Sequence, residues 1–432
     1  MTFFKSILIP FLIVGAMAQA QQTPGDVQTN AIAIVGATAH IGNGQVIDNA
    51  ILVFDNGKLV TVSERSSFNG SLEGKTVIEA SGKHVYPGFI AANSTLGLVE
   101  VDAVRASDDQ AELGQLLPHI RSLIAYNAES KVVESMRPNG VLLAQTTPQG
   151  GRVSGTSSVV QLDAWNWEDA AVRADDGIHL NWPRTLSYNR NWATRTWSLE
   201  ANKDYDKEVR GIEEFFDECK AYLEGNRNPT NLPYQAMENL MKGSQNLYVH
   251  VGDEKGITDA VGFSKKYQLK LVLVGAEEAY KVADLLKSES VGVLLSNTHR
   301  LPRSQDHDYD MPYKLPKLLS DAGVLVGLNT GGKANFQSRN LPFFAGQAVG
   351  QGLDREVALS MITANTAKIL GIDDNYGTLE VGKSATLFIS EGDALEMMGN
   401  RLTKAYIDGR EVSLESHQTE LWQRYKKKYE SN

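Results

Sequence analysis

Residues 84–97 read HVYPGFIAANSTLG. Val85, Tyr86, Phe89 and Ile90 form an apolar run around Pro87-Gly88, and small or polar residues follow before Leu96-Gly97. An apolar run that ends in small residues predicts a buried strand delivering its last side chains to an open end. Upstream, residues 31–35, 50–54 and 58–62 are short β-branched runs separated by Gly42-Asn43-Gly44 and Asp55-Asn56-Gly57. Asn-Gly between apolar runs predicts a tight hairpin, because a primed turn needs positive φ. These runs predict a small antiparallel sheet, and residues 76–79 lead on into the opening strand. The far end mirrors this: residues 377–389 read as a turn and a strand, and residues 405–412 as a hairpin.

Between the two ends, short apolar runs at 140–144, 247–251, 269–274, 291–295 and 324–328 alternate with longer helical patterns. That alternation predicts βα units around a parallel sheet. No Gly-x-Gly-x-x-Gly follows the first strand, so the pattern suits a (β/α)8 TIM-like barrel better than a dinucleotide fold. Residues 164–234, rich in tryptophan and loop residues, are expected as an insertion near the barrel mouth. In the tail, residues 414–432, Leu421, Trp422, Tyr425 and Tyr429 share a helical face opposite Arg424, Lys427 and Lys428. The expectation is a closing helix packed on the body, with a membrane-surface or partner helix as the alternative.

The chain has 432 residues, 42% hydrophobic and 22% charged, which is enough to bury a large core. A net charge of −10 argues against a general nucleic-acid binder and leaves small molecules and proteins as partners. Lys5, an apolar segment over residues 7–18 and Ala18-Gln19-Ala20 predict a cleaved export signal, residues 1–20. The apolar segment is shorter than the roughly 20 residues a spanning helix needs. No stable membrane insertion is expected after cleavage, and a Gram-negative periplasm is the expected location. Cys219 is the sole cysteine, so no intramolecular disulfide is possible, and its helix-like surroundings predict a quiet packed thiol.

The frame of residues 84–97 resembles the first barrel strand of the amidohydrolase superfamily, Pro-Gly-Phe-Ile-Asp-x-His-x-His-x-Gly. The resemblance is closest to the imidazolonepropionase-like and prolidase-like secreted branch. It extends over nearly the whole mature chain, most strongly over 76–97 and 323–412. It implies a barrel (84–371) beside a β-sandwich built from both chain ends (21–83 and 372–413). It also implies hydrolysis of C–N bonds in amides, cyclic amides or dipeptides by a metal-bound hydroxide. Carried over by position, however, most of the ligands are missing. Asn93 and Thr95 stand where the family has histidines, and Ala91 where it has an acid. Gly275 replaces a further histidine, and Gly331 the catalytic aspartate that ends the last strand. His250 alone is retained. A catalytic metal needs about three protein ligands, so no cofactor is expected, with zinc as the alternative.

The expectation is therefore a pseudoenzyme: a binding or accessory protein, forming a homo-oligomer or pairing with an active amidohydrolase. The rival is a working hydrolase with a reduced metal site drawing on His250, His299, His307 and the nearby aspartates. Candidate pocket residues are Arg152 and Ser154 in the glycine-rich stretch 148–158, Asp306 and His307 in an acidic loop, and Arg339 and Asn340 after the last strand. The 148–158 stretch offers backbone N–H groups to an anion. Asp163-Ala164-Trp165-Asn166-Trp167 offers an aromatic wall, or packing. No Ser-His-Asp or Cys-His arrangement is assignable.

Overall fold

The computed structural model describes residues 23–192, 194–303, 306–331 and 335–430. The expected export signal, residues 1–20, lies outside these residues, and no described helix is long and apolar enough to cross a membrane. The described residues form two large sheets and a separate hairpin.

The first sheet joins both chain ends. Ile32–His40 pairs antiparallel with Val46–Asp55, which pairs antiparallel with Lys58–Glu64. The turn between the last two uses Asn56 at φ 49° and Gly57 at φ 77°, as the Asn-Gly signal requires. From the far end, Leu387–Ser390 and Leu402–Ile407 join through His84–Pro87, which pairs with both Ile32–His40 and Leu387–Ser390. Residues 84–97 are therefore two strands rather than one. Pro87 and Gly88 break the run, and Phe89–Ser94 begins the second sheet. Gly88 donates to the Thr386 carbonyl, and a Cβ there would press on Thr386 and Leu142. The crossing between sheets thus passes where only glycine fits.

The second sheet has eight strands in chain order: Phe89–Ser94, Val141–Thr146, Val153–Gln161, Ala171–Asn181, Asn246–Val251, Lys270–Gly275, Gly292–Leu295 and Val326–Leu328. A parallel bridge from Ala92 to Asn329 brings the first strand against the last, which makes a TIM-like barrel. Its side chains alternate as a barrel demands. Leu247 and Val249 pack outward under the helices, while Tyr248 joins Ile90, Leu143, Val159, Val272 and Leu294 inside. Ile369 and Leu370, from the Ala364–Leu370 helix, close one end of that inner cluster.

Unlike an all-parallel barrel, the third strand runs antiparallel to both neighbours. The reason is chain length. The link from Thr147 to Arg152 is far short of the roughly dozen residues a parallel crossover needs, and Gly150 and Gly151 turn it with positive φ. The third and fourth strands also fall inside or beside the expected insertion. What projects from the barrel is the hairpin of Leu186–Asn191 and Thr196–Ala201, followed by the Tyr205–Glu224 helix. On that helix Cys219 is fully buried, and burial pushes its thiol up to about 12, consistent with a packed thiol.

The tail helix, His417–Glu430, departs from expectation. No residue of it is buried, and Trp422, Tyr425 and Tyr429 are exposed. It is tied at its start, where His417 N–H donates to Glu134 Oε1 at 2.7 Å. Lysines and an arginine of the helix itself lie over its aromatic rings. The helix therefore adds little to the core. Deleting residues 417–432 is expected to shift Tm by no more than about 2 °C. A loss above about 5 °C in a thermal melt would mean that the helix packs on the body after all.

Candidate functional site at the barrel mouth

His250 ends the inward face of the fifth strand, and His179 sits on the fourth, paired through Tyr248↔His179 and His250↔Asn181. His179 Nδ1 and His250 Nε2 are 2.9 Å apart, so one donates to the other. The His179 ring stacks on Tyr248 at 4.6 Å. Burial drives both imidazoles toward the neutral form, His179 well below its ordinary value and His250 to about 4. His179 Nε2 is buried without a hydrogen-bond partner. The alternation Ile178-His179-Leu180-Asn181 after Gly177 was the signal for this histidine, masked by the acidic Asp175-Asp176 pair before it.

Beneath the histidines lies a buried polar network. Asp176, fully buried, accepts from Tyr248 Oη at 2.6 Å, Ser157 Oγ at 2.7 Å and Gln145 Nε2 at 2.8 Å. Gln145 Oε1 in turn accepts from the Asn93 N–H at 3.0 Å. Desolvation raises the Asp176 pKa, and its three hydrogen-bond donors only partly offset that. This network was not anticipated, because its members are scattered over the first five barrel strands.

A cavity of about 540 Å³ opens above, with His250, Trp182, Arg184, Asp253, Glu277 and Arg303 among its lining residues. Glu277 meets Arg303 Nη1 at 3.4 Å and Arg300 Nη2 at 3.5 Å. Asp253 caps the Glu254–Tyr267 helix, accepting from Gly256 N–H at 2.9 Å.

The family's other ligand positions carry no donor set for a metal. Asn93 sits at φ 48° with Oδ1 buried and unpartnered, and Thr95 is buried. Gly275 and Gly331 have φ of 93° and 88°, a backbone that side chains with a Cβ rarely adopt. Gly331 N–H donates to Asn329 Oδ1 at 2.8 Å, so the end of the last strand is folded into an Asx turn. Among the described residues, no three His, Cys, Asp or Glu side chains converge as metal ligands. The two paired imidazoles fall short of a three-ligand site. Reinstating ligands is expected to fail on the backbone. Gly275→His and Gly331→Asp should each cost about 1–2 kcal/mol for left-handed strain, read as lower urea midpoints. Unchanged midpoints would show that the loops accept side chains freely.

The other sequence candidates are mostly committed elsewhere. Arg152 pairs with Glu208 Oε2 at 2.5 Å and donates to the Asn181 carbonyl, so it is no free anion-binding arm. Ser154 Oγ accepts from Asn181 Nδ2 at 3.0 Å. The backbone N–H groups of Gln149, Arg152 and Val153 donate to the Gln110 and Gln115 carbonyls, so they cradle nothing else. His307 Nε2 contacts Glu278 Oε1 at 2.8 Å and, with Asp306, lines an adjoining cavity of about 260 Å³. His299 Nε2 meets Gln347 at 3.1 Å. The rival ligands His250, His299 and His307 therefore have separate partners. Arg339 and Asn340 close a short 3-10 turn before the Leu341–Gly350 helix and do not line the cavity. In the stretch 163–167, Trp167 packs against the core, Trp165 is exposed, neither lines the cavity, and Asp163 is the buried partner of Arg137 and Arg410.

Comparison with known proteins agrees with this architecture. The amidohydrolase family profile matches residues 277–412. A stretch of the chain is 32% identical to the amidohydrolase tasK of Hapsidospora irregularis, covering 26% of this chain and 12% of that protein. The match thus spans only about an eighth of the curated relative. Among solved structures, an amidohydrolase from Thermotoga maritima MSB8 superposes with a TM-score of 0.75 at 22% identity, over 88% of this chain and 99% of that one. Molinate hydrolase superposes with a TM-score of 0.56 at 14% identity, over 91% and 96%. A. niger ochratoxinase superposes with a TM-score of 0.55 at 14% identity, over 88% and 95%. At these identities the structures speak to the fold. The profile match takes in the seventh and eighth barrel strands and the closing sandwich strands, and over that region the chain is similar to the amidohydrolase family.

Proposed function

We propose that this chain is an exported, non-catalytic member of its superfamily that binds a small molecule at the barrel mouth and serves as a binding or accessory protein. The observation that carries this is the backbone at the former ligand positions. Gly275 and Gly331 both hold left-handed conformations, and the Asn93 N–H is spent on Gln145. These are settled local structures rather than single side-chain losses. We extend the proposal to a periplasmic location, to residues 1–20 as a cleaved leader, and to the division into sandwich (21–83, 372–413), barrel (84–371) and tail (414–432). The exposed aromatic face of the tail suits a protein partner, either a second copy or an active amidohydrolase.

A second reading is favoured by one atom. The unpartnered, buried Nε2 of His179 beside His250 is a nitrogen in search of a partner, and a C–N hydrolase with a reduced zinc site would use it. In that case His179 and His250 would hold the ion, whose chemistry would be activation of water. The test is turnover of a panel of N-acyl amino acids, cyclic amides and X-Pro dipeptides by the mature chain, with and without added zinc. No turnover above the His250→Ala control is expected. Zinc-dependent turnover lost in that variant would establish the second reading.

A further inference from the structure

We propose that the tail helix and the methionine loop at residues 391–401 are the two halves of a two-fold dimer interface, the helix of each copy seated on the loop of the other. The proposal rests on the reading of the exposed tail as a protein-binding face, and it names a second copy of this chain as the partner.

The first observation is the make-up of the helix, His417–Glu430. At the helical repeat Leu421, Trp422, Tyr425 and Tyr429 fall on one face, and its three rings are 51–68% exposed. Cations flank that face on both sides. Lys426, one turn after Trp422, lies over its ring at 5.0 Å. Arg424 and Lys428, one turn apart on the other flank, lie over Tyr425 and Tyr429 at 5.3 Å each. With Lys427, four cations stand against Glu420 and Glu430, the latter 3.5 Å from Lys426. The chain as a whole carries −10, so an anionic bilayer would repel the body, and the face has one aliphatic side chain to insert. Its chemistry suits an apolar surface edged with carboxylates.

The second observation is that such a surface lies beside it. Residues 391–401 link the sandwich strands Leu387–Ser390 and Leu402–Ile407, and there Met397 and Met398 are 68% and 85% exposed. Glu391, Asp393 and Glu396 accompany them, against Arg401 and Arg355. Three acids against two arginines leave the loop acidic, and Glu396, 3.7 Å from Arg355, is largely exposed. The loop holds its shape, since the Asn400 N–H donates to the Glu396 carbonyl at 2.8 Å. Thioethers adapt to aromatic rings, and the acids match the cations of the helix. Both patches are anchored on one short segment. The His417 N–H donates to Glu134 Oε1 at 2.7 Å, and Asn400 Nδ2 donates to the Asn139 carbonyl at 3.3 Å. Five positions of chain span at most about 18 Å, so the root of the helix and the loop are neighbours. Complementary patches side by side are what a two-fold interface needs, because each copy then offers helix to loop and loop to helix. Three half-exposed rings and a leucine cover roughly half of the ~800 Å² per partner that a stable interface buries, and the reciprocal contact supplies the rest.

The experiment is sedimentation velocity of the full mature chain. Between about 1 and 200 µM it should show a reversible monomer–dimer equilibrium that weakens as salt is raised. Trp422→Ala with Tyr425→Ala, and Met397→Ser with Met398→Ser, should each weaken the dimer by about tenfold or more. Charge reversal on the helix (Lys426→Glu with Lys428→Glu) or on the loop (Glu391→Lys with Glu396→Lys) should leave monomers. An equimolar mixture of the two reversed chains should dimerise again, because helix and loop then match in both contacts. All of these side chains are at the surface, so an unchanged melting temperature of the dilute variants checks that they fold. A monomer over the whole range, a dimer indifferent to the loop substitutions, or no rescue on mixing would overturn the proposal. Flotation with phosphatidylglycerol vesicles tells its failure from that of the wider reading. A monomer that binds the vesicles through Trp422 would sink the protein-partner reading as well, whereas a monomer that binds none would sink only the choice of a second copy.

Discussion

Asp163→Ala should destabilise the protein by about 3–5 kcal/mol, the range for removing one partner of a buried ion pair. Arg137 and Asp163 are both almost fully buried and meet at 2.5 Å. Asp163 Oδ2 also accepts from Gly25 N–H at 2.8 Å and from Arg410 Nη1 at 3.1 Å. One carboxylate thus ties the start of the described chain, the last sandwich strand and the barrel wall together. Without it the buried Arg137 guanidinium loses its hydrogen-bonded counter-charge and keeps only the more distant Glu134, while burial lowers its pKa. Urea titration should show a large drop in midpoint. A loss below about 1 kcal/mol, the level of a surface pair, would mean that water reaches Arg137.

Asp176→Ala should cost about 2–3 kcal/mol, because it removes the acceptor shared by Tyr248 Oη, Ser157 Oγ and Gln145 Nε2: Ser157 still donates to the Gly177 carbonyl and Gln145 to Ser157, while the buried Tyr248 O–H loses its acceptor. Asp176→Asn, which keeps the volume, should lose far less and should change the pH dependence. The folded-state pKa of Asp176 is raised above its unfolded value of 3.8, mainly by desolvation. The folded state therefore holds the proton longer, and this group makes stability fall as pH rises from the unfolded value through the raised one. The asparagine variant lacks that term, so its stability relative to the parent should improve across this window. Denaturation curves collected at a series of pH values test this. Parallel pH profiles would show that Asp176 ionises normally in the folded state.

What could be read in advance was local. The Asn56-Gly57 turn, the strands of the two chain ends and the strands at 247–251 and 269–274 are written in residues that act within a few positions of one another. The frame of residues 84–97 and the run after Leu328 identified the architecture. The reversed third strand was not legible, because its direction follows from the shortness of a link whose ends looked like ordinary loop. His179 and the Asp176 network were missed because their partners come from different strands and only closure of the barrel unites them. The anion-binding group was placed on Arg152 from its glycine-rich surroundings, yet Arg152 is neutralised by Glu208, more than fifty residues away. The arginine that lines the cavity, Arg303, is paired with Glu277 and lies against a glycine on a different strand end. The tail shows the reverse limit: its helical period was plain, but periodicity cannot say whether an apolar face meets the body or solvent.

The most direct test of the central claim, that the barrel keeps its fold without a metal centre, is the metal content of the purified mature chain expressed with zinc in the medium and dialysed against metal-free buffer. The account predicts far less than one equivalent of any transition metal, with the His250→Ala variant indistinguishable from the parent. One equivalent of zinc that disappears on replacing His250 or His179 would contradict it.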